Sequence, residues 1–499
     1  MEEKYQRLKQ LVGEAWDLQV ASAIASWDMQ VYMPPAGAEE RSQVLGTLAS
    51  LIHDKSTAPE IGELLNDLQP LAAQNPDSLE AGLIKRLQRL YDKETRVPRE
   101  LVAEFARITG QAYEIWMRAR ATCDFELFRP YLERIVELRR EYANLFAPYD
   151  HIYDPLLDDF EPGMKTRDVQ EIFTILRQEQ VELVKAISQR PQVEDGFLHL
   201  EYPEQQQWDF GVEVATRLGF NWKAGRQDRS AHPFTTSFGI DDVRITTRFI
   251  PDQMSSALFS TMHEGGHALY QLGLDKALAR TPLADGASLA VHESQSRMYE
   301  NLVGRSRAFW RFFYPRLQEV FPSQLGGVDM ETFYRGINKV EPSLIRVEAD
   351  EATYNLHVML RLELEIAMLE GRLAIKDLPE AWNERMQEYL GLTPPDVAKG
   401  VLQDVHWSGG SLGYFPTYSL GNLVSVQLFE RLRQDVPDLD EQMARGEFGA
   451  LLEWLREHVH KYGARYEPQE LVERVTGSKI TPHPYLRYLR EKYSDIYGL

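Results

Sequence analysis

Residues 261–273 read TMHEGGHALYQLG, and this stretch decides how the rest of the chain is interpreted. His263 and His267 stand four residues apart, with a glutamate beside the first and two glycines between them. The flanks have helical periodicity, yet each glycine inside a helix costs about 1 kcal/mol relative to alanine. Glycine is favoured where something approaches the backbone closely. We therefore interpret the glycine pair as clearance for a neighbouring element or a substrate.

The two histidines have the spacing of a metal-binding pair. Side chains at i and i+4 leave the same face of a helix, so His263 and His267 can both reach one Zn²⁺. Glu264 lies beside them, where it would touch the water on the metal rather than the metal itself. The alternative, two histidines on an ordinary amphipathic helix, leaves Gly265 and Gly266 unexplained. The pattern favours a zinc hydrolase with Glu264 as general base.

A catalytic zinc site needs a third protein ligand and one open position. Residues 285–304, DGASLAVHESQSRMYENLVG, predict the next helix and contain the candidates His292, Glu293 and Glu300. Glu293 and Glu300 are seven residues apart, two turns along one face, so periodicity cannot choose between them. Each of the three could also be a solvated residue without a ligand role.

Composition narrows the class of protein. The chain has 499 residues, 43% hydrophobic and 26% charged, which is typical of a soluble globular protein. A net charge of -21 argues against nucleic acid as the main partner. The single cysteine, Cys123, excludes an intramolecular disulfide and a cysteine-rich zinc site, and it fits a reducing cytosol. Without an apolar leader or a membrane-spanning run, we expect a cytoplasmic protein that does not enter a membrane.

Helical periodicity recurs along most of the chain, with no internal repeat and no low-complexity linker. The exception is residues 234–250, FTTSFGIDDVRITTRFI, which predict a β-hairpin. A lone hairpin is marginal, so it must pack on helices, with one edge able to stay open. The sequence predicts a mainly α fold, a single domain over residues 1–499, with a small β element just before the HEGGH stretch.

A second charged pair stands in residues 341–365, EPSLIRVEADEATYNLHVMLRLELE, where we predict a helix that begins just after Pro342. Arg346 and Asp350 are then an i,i+4 pair. They can be an ordinary surface ion pair, or a guanidinium held by Asp350 and aimed at a substrate carboxylate. Spacing alone does not decide.

Residues 400–422, GVLQDVHWSGGSLGYFPTYSLGN, combine His406, Tyr414 and Tyr418 with several glycines. Histidine and tyrosine donors near a zinc ion are suited to stabilising the oxyanion of a tetrahedral intermediate. The alternative is an aromatic core loop.

An ordered set of motifs resembles the carboxypeptidase Taq family of metallocarboxypeptidases, the thermostable carboxypeptidase 1 group. The resemblance spans about residues 27–420 and departs from the family pattern at none of the motif positions. In chain order the motifs are WDMQVYMP from Trp27, HPF at His232–Phe234, D-x-R-x-T at Asp242–Thr246, HEGGH at 263–267, HESQ at His292–Gln295, I-R-x-x-A-D at Ile345–Asp350 and G-x-x-Q-D-x-H-W at Gly400–Trp407.

The resemblance implies roles for the residues around the metal. It implies that Glu293, not Glu300, is the third ligand and that Glu264 activates the water. His406 looks like an oxyanion stabiliser, and the position of Tyr418 and Tyr414 after it suggests that one of them assists.

The resemblance also implies how substrate is held. Arg346 looks like a substrate-binding arginine, while His232 and Arg244 belong to motifs on the hairpin edge, where a peptide could add as a further strand. The family's fold is a largely helical body similar to neurolysin and angiotensin-converting enzyme, with two lobes flanking a deep groove and a short β element beside it. Family members look like homodimers that use Zn²⁺ or Co²⁺, with broad preference for the C-terminal residue except proline.

We therefore predict a zinc-dependent metallocarboxypeptidase that acts on peptides with a free C-terminus. An endopeptidase or dipeptidyl carboxypeptidase on the same scaffold is the alternative, and it would also cut peptides with an amidated C-terminus. A catalytically inactive helical interaction protein would need a broken site, and every motif position is intact. We further expect Gly265→Val or Gly266→Val to impair activity.

Overall fold

Helices make up most of the chain in the computed structural model, which describes residues 1–499. The mainly α prediction is confirmed. In chain order the helices are α1 (Glu2–Val31), α2 (Ala38–Ser56), α3 (Pro59–Gln74), α4 (Leu79–Arg96), α5 (Arg99–Thr122), α6 (Phe125–Asn144), α7 (Asp154–Asp158), α8 (Thr166–Ser188), α9 (Glu204–Arg217), α10 (Met254–Leu272), α11 (Leu289–Arg297), α12 (Arg307–Val320), α13 (Pro322–Leu325), α14 (Met330–Ile337), α15 (Tyr354–Leu369), α16 (Leu378–Leu390), α17 (Pro416–Asp435), α18 (Leu439–Ala444), α19 (Gly449–His458), α20 (Pro468–Thr476) and α21 (His483–Tyr497).

Shorter helical segments connect these elements. A π-helix, Met298–Val303, continues directly from α11. Single turns of 3₁₀-helix stand at Pro35–Gly37, Gly196–His199, Lys276–Leu278, Arg346–Glu348, Ile375–Asp377 and His460–Tyr462. None of the helices is both long enough and apolar enough to cross a membrane.

The β element is a three-stranded sheet made of β1 (Gly225–Arg229), β2 (Thr235–Gly239) and β3 (Asp242–Thr247). β2 and β3 pair antiparallel, which confirms the predicted hairpin. β1 was not foreseen; it pairs parallel with β3, so β3 is the middle strand. The expectation that Arg244 lies at the hairpin edge is therefore wrong, because Arg244 is on β3. The edge strand of the hairpin is β2.

The chain divides into two compact units. Unit 1 comprises Met1–Thr95, Glu194–Ile337 and Leu428–Gly477. Unit 2 comprises Arg96–Val193, Asn338–Gln427 and Ser478–Leu499. The sheet, α10 and α11 belong to unit 1, whereas Arg346 and the His406 segment belong to unit 2.

In unit 1, the sheet packs against α10 through a small apolar cluster. Val243 and Ile245 of β3 alternate toward this side, as the two-residue period of a strand requires, and both are fully buried. They meet Ala268 of α10, together with Ala215 and Phe220. This packing fixes the HEGGH helix against the strands that precede it.

In unit 2, α15 begins later than the sequence suggested. The predicted helix after Pro342 is wrong: a 3₁₀ turn at Arg346–Glu348 comes first, and α15 starts at Tyr354. Asp350 causes the break, because its carboxylate accepts the backbone N–H groups of Ala352 and Thr353 at 2.9 and 3.0 Å. A side chain that binds backbone donors in this way favours a turn over a continuous helix.

Candidate active site

Helix α10 presents His263 and His267 on one face, and α11 brings Glu293 to them. The Nε2 atoms of His263 and His267 lie 3.6 and 3.5 Å from the same oxygen, Oε2 of Glu293. One donor atom from each of the three residues lies within 4.8 Å of the others. Ligand atoms that surround one tetrahedral Zn²⁺ at its usual bond lengths are separated by about 3.3–3.6 Å. The three side chains therefore fit a zinc-sized cation.

Glu293 is held so that one of its oxygens faces the histidines. Helix α11 starts at a capping residue, Ser288, whose Oγ accepts the N–H of Val291 at 3.1 Å. One turn after Glu293, Arg297 donates from Nε to Oε1 of Glu293 at 2.7 Å. This bond occupies Oε1 and leaves Oε2 on the side of the imidazoles.

Glu300 has a different place from Glu293, although both were ligand candidates. Its Oε2 lies 2.9 Å from Nδ1 of His263, the nitrogen that does not face Glu293. Glu300 belongs to the π-helix, whose wider turns break the register of α11. Arg297 also donates to Glu300 Oε2, at 3.3 Å. Glu300 thus contacts a ligand from behind, which is how a carboxylate fixes the orientation of a metal-binding histidine.

The second histidine has a neutral partner instead. Nδ1 of His267 lies 2.6 Å from Nδ1 of His292, the third ligand candidate. Nε2 of His292 in turn lies 2.9 Å from Nε2 of Gln271. His292 is therefore behind His267 and outside the donor set.

The electrostatics of this cluster favour a cation. Burial disfavours the charged form of Glu293, but Arg297 and the histidines outweigh it and hold the pKa of Glu293 below its usual range. The same balance, between burial and Arg297 with His263, lowers the pKa of Glu300 to about 2. Both groups are thus carboxylate anions. Burial raises the pKa of Glu264, which has no guanidinium beside it.

Glu264 is buried and receives a single hydrogen bond. Oγ1 of Thr235, the first residue of β2, donates to Oε2 of Glu264 at 2.6 Å. The same hydroxyl lies 3.0 Å from the backbone carbonyl oxygen of Glu264. Edge strand β2 is therefore tied to the residue expected to act as general base.

The two glycines of α10 are not equivalent. A Cβ on Gly266 would lie 2.6 Å from the carbonyl oxygen of Gln295 and 2.7 Å from Cα of Ser296, both in α11. A Cβ on Gly265 would meet nothing within 4 Å. The close neighbour expected from the sequence is thus α11, and it faces Gly266 alone. This close approach is what brings Glu293 within reach of the two histidines.

In unit 2, two buried guanidiniums share one carboxylate. Nε and Nη2 of Arg346 donate to Oδ1 of Asp404 at 3.0 and 2.8 Å. Arg361, which has no exposed side-chain surface, donates from Nε to Oδ2 of Asp404 at 2.7 Å. Gln403 joins the group by accepting the N–H of Arg346 and an N–H of Arg361, both at 2.9 Å.

The partner of Arg346 is thus Asp404, and the alternative in which Asp350 holds the guanidinium is wrong. Asp350 instead accepts backbone N–H groups, since the turn before α15 separates it from Arg346. The third hydrogen bond of Arg346 runs from Nη1 to the hydroxyl of Tyr354 at 2.9 Å. A guanidinium carries five N–H donors, so two donors of Arg346 remain available to a ligand.

His406 lies next to this cluster. Its Nδ1 is 3.9 Å from Oδ1 of Asp404, too far for a hydrogen bond, and its Nε2 is 3.4 Å from the hydroxyl of Tyr418. Burial, with repulsion from Arg346 and Arg361 added to it, outweighs the attraction of Asp404 and lowers the pKa of His406 to about 4. The imidazole is therefore neutral near pH 7. Tyr414 packs its ring against His406 with centroids 5.2 Å apart.

The remaining two predicted residues lie in the β element. Arg244 forms a bidentate pair with Asp242, with both contacts at 2.9 Å, and its guanidinium stacks 4.3 Å from the ring centroid of Trp27. His232 is exposed just before β2, and its carbonyl oxygen accepts the hydroxyl of Ser230 at 2.6 Å.

Sequence reasoning missed the residues that hold the predicted ones in place. Thr235, Arg297 and Asp404 each bind a predicted site residue directly, and Arg361 binds Asp404. Only the contact of Arg297 could have been predicted from local sequence, because Arg297 lies one helical turn after Glu293. The others bind partners that are distant in sequence.

A mainly helical chain with two histidines and a glutamate gathered around one point, and a buried glutamate beside them, defines a metallopeptidase. A family comparison extends this conclusion. The model of the family described as "Carboxypeptidase Taq (M32) metallopeptidase" matches residues 7–493 of the chain. The chain belongs to this family and is a metallocarboxypeptidase.

Its relatives match along their whole length. Thermostable carboxypeptidase 1 of Thermus thermophilus is 44% identical, over 100% of this chain and 99% of the relative. Carboxypeptidase 1 of Bacillus subtilis is 37% identical, over 96% of each chain. The crystal structure of the M32 carboxypeptidase from Deinococcus radiodurans superposes with a TM-score of 0.96, at 40% identity and 100% coverage of both chains.

Proposed function

We propose that this metallocarboxypeptidase is zinc-dependent and that His263, His267 and Glu293 hold the ion. The observation that carries the proposal is the 3.5 and 3.6 Å separation of both Nε2 atoms from one oxygen of Glu293, with Glu264 on the same helix. Two imidazoles and one carboxylate, with a further position open, form the donor set of catalytic zinc sites. The same donors would accept Co²⁺.

A zinc ion held there would supply Lewis acidity, which lowers the pKa of water and polarises the scissile carbonyl. Glu264 takes the proton of the attacking water and passes it to the departing amine. Its burial suits this role, because a carboxylate shielded from bulk water has a raised pKa and is a stronger base. The only hydrogen bond to the Glu264 carboxylate comes from the Thr235 hydroxyl, and burial outweighs the attraction of His263, so the pKa of Glu264 stays raised.

In unit 2, Arg346 is proposed to bind the terminal carboxylate of the peptide. Its two available N–H donors support this role, because a guanidinium can hold a carboxylate with two parallel hydrogen bonds. His406 is proposed to donate a hydrogen bond to the oxyanion, as a neutral imidazole can. The 3.4 Å contact between its Nε2 and the hydroxyl favours Tyr418 over Tyr414 as the assisting tyrosine.

The β element is proposed to hold the rest of the peptide. β2 has a strand neighbour on one side only, which supports addition of an extended peptide by main-chain hydrogen bonds. His232 is exposed three residues before this strand. Arg244 would act from the neighbouring strand, held by Asp242.

The proposal includes broad preference for the C-terminal residue with exclusion of proline, a homodimer, a single functional domain over residues 1–499 and a cytoplasmic location. These points rest on the resemblance of the motifs to the family.

A digest of one peptide in two forms tests the function. The same sequence with a free or an amidated C-terminus is incubated with the enzyme, with chelator, and with zinc restored after chelation, and the products are followed by mass spectrometry. We expect a ladder of single C-terminal residues from the free acid only, abolished by chelator, restored by zinc and halted before proline. Internal cuts or released dipeptides would favour the endopeptidase or dipeptidyl carboxypeptidase, and equal cleavage of the amide would contradict the role of Arg346.

A further inference from the structure

The hydroxyl of Thr235 is the only hydrogen-bond partner of the Glu264 carboxylate. It donates to Oε2 at 2.6 Å, a short distance typical of a hydroxyl that binds an ionised carboxylate. Oε1 of Glu264 has no hydrogen-bond donor from the chain. The two oxygens of this side chain are therefore distinguished: one is anchored to β2 and the other is available to a proton donor.

The anchor itself is rigid. Thr235 pairs with Ile245 of β3, whose side chain is fully buried under α10. The preceding residue, Phe234, is fixed by a hydrogen bond from its N–H to Oγ1 of Thr246 at 2.9 Å. Pairing with β3 thus places the Thr235 hydroxyl, whereas helix α10 places Glu264.

The hydrogen bond from Thr235 restricts rotation of the Glu264 carboxylate about its terminal torsion. The terminal torsion of a glutamate side chain is broad and nearly two-fold, so the plane of a free carboxylate is poorly defined. A general base must stand within hydrogen-bond reach of the proton that it takes, and small misplacements cost rate. A fixed donor on one oxygen sets the direction of the other.

We propose that Thr235 is a positioning residue for the general base, whose hydroxyl holds one oxygen of Glu264 so that the other faces the proton to be abstracted. The inference rests on the proposed role of Glu264. It assigns to the edge strand a part in the chemical step, separate from the binding of peptide along that strand.

A purely structural role for Thr235 would predict different results. The same hydroxyl lies 3.0 Å from the backbone carbonyl of Glu264, so it also ties β2 to α10. If the only role of the hydroxyl were to join β2 to α10, its loss would lower the melting temperature and leave kcat per folded molecule unchanged.

Thr235→Val and Thr235→Ser separate the two roles. Valine keeps the shape and strand propensity of threonine without the hydroxyl, whereas serine keeps the hydroxyl. Thr174→Val is the control for the same chemical change, because Thr174 is exposed on α8 and its hydroxyl donates only to the carbonyl oxygen of Gln170. kcat and KM are measured with a blocked dipeptide, alongside the zinc dissociation constant and the melting temperature.

For Thr235→Val we expect kcat to fall by roughly 10- to 100-fold, with KM and the zinc dissociation constant within about twofold of the parent. Thr235→Ser should recover most of kcat, and Thr174→Val should behave as the parent. An unchanged kcat in Thr235→Val, or a loss of zinc that accounts for its inactivity, would overturn the proposal. If valine prevents folding, Thr235→Ala takes its place with the same criteria.

A double variant keeps this inference apart from the proposed function. If Glu264 is the base and Thr235 acts through it, Thr235→Val should lower kcat no further in a Glu264→Gln background. Full activity of Glu264→Gln alone would contradict the proposed mechanism. An additive loss in the double variant would contradict only the role of Thr235.

Discussion

Around His263, the buried carboxylates outnumber the guanidiniums, whereas around Arg346 the reverse holds. Glu264, Glu293 and Glu300 have only Arg297 at hydrogen-bonding distance, with Arg305 farther off at 3.8 Å from Glu300. Arg346 and Arg361 share Asp404. The first cluster thus contains more carboxylates than guanidiniums, and Glu293 and Glu300 outweigh burial to raise the pKa of His263 to about 9 in the absence of metal. The second cluster carries excess positive charge.

This difference indicates what each cluster binds. Burying a charge without a partner is costly, so an imbalance that persists in a folded protein is compensated by a ligand of opposite charge. The unit 1 cluster suits a divalent cation, and the unit 2 cluster suits a carboxylate. Both clusters are preorganised for their ligands, because hydrogen bonds within the chain hold the glutamates of the first and the arginines of the second.

Removing a metal ligand should have the largest effect. We expect Glu293→Ala to lose zinc and all measurable activity, because one of the three donors is gone and no other carboxylate reaches both Nε2 atoms. Glu300→Ala should weaken zinc binding by only about 10- to 100-fold, since it removes the partner of His263 Nδ1 and leaves the donor set intact. Equilibrium zinc titration against a competing chelator measures both.

These two variants are matched, because in each case Arg297 retains the other glutamate as a partner. Saturating zinc should restore activity to Glu300→Ala and not to Glu293→Ala. The reverse result would make Glu300 the ligand.

Removing the base should strongly reduce turnover and leave the cation site intact. Glu264→Gln keeps the size of the side chain but cannot take a proton, so we expect kcat to fall by about 10²- to 10⁴-fold. Zinc content should stay equal to that of the parent, because Glu264 is not in the donor set. Steady-state kinetics and metal analysis on the same preparation decide, and near-parental turnover would remove Glu264 from the mechanism.

Removing a guanidinium should affect substrate binding instead. For Arg346→Met we expect KM for a peptide with a free C-terminus to rise by about 10- to 100-fold, since hydrogen bonds to charged groups contribute about 1.5–3 kcal/mol. Asp404 keeps Arg361 as its partner in this variant, so no carboxylate is left unpaired. Zinc affinity should not change.

Arg177→Met is a suitable control, because Arg177 is a part-buried arginine of α8 that pairs with Glu363 at 2.8 Å. Its KM should match that of the parent. An unchanged KM in Arg346→Met would mean that another group recognises the peptide terminus.

The two clusters also differ in how far the sequence alone could predict them. His263, His267 and Glu264 are neighbours on one helix, so their spacing is sufficient to define them. The pairing of Arg346 with Asp404 joins residues 58 positions apart, and no local periodicity contains it. The local pattern suggested Asp350, which the backbone of the turn before α15 occupies.

The third metal ligand is an intermediate case. Glu293 and Glu300 are equivalent by helical period, and two structural facts separate them. The π-helix changes the register of Glu300, and the close approach of α11 at Gly266 brings Glu293 to the histidines. Neither fact follows from periodicity, so the choice rested on the resemblance to the family.

The smallest expected effects concern the two glycines between the histidines, and they should have opposite signs. Gly266→Ala places a Cβ 2.6 Å from a backbone oxygen of α11, which cannot move without displacing Glu293, so we expect a loss of about 1–3 kcal/mol in unfolding free energy and weaker zinc binding. Gly265→Ala meets open space, so the better helix propensity of alanine should stabilise the protein by about 0.5–1 kcal/mol. Denaturant unfolding and zinc titration of both variants measure the difference. Equal destabilisation by the two would contradict the assignment of Gly266 to the helix contact. A Gly265→Val variant that is as stable as the parent but has a raised KM would show that the space beside Gly265 is used by the substrate.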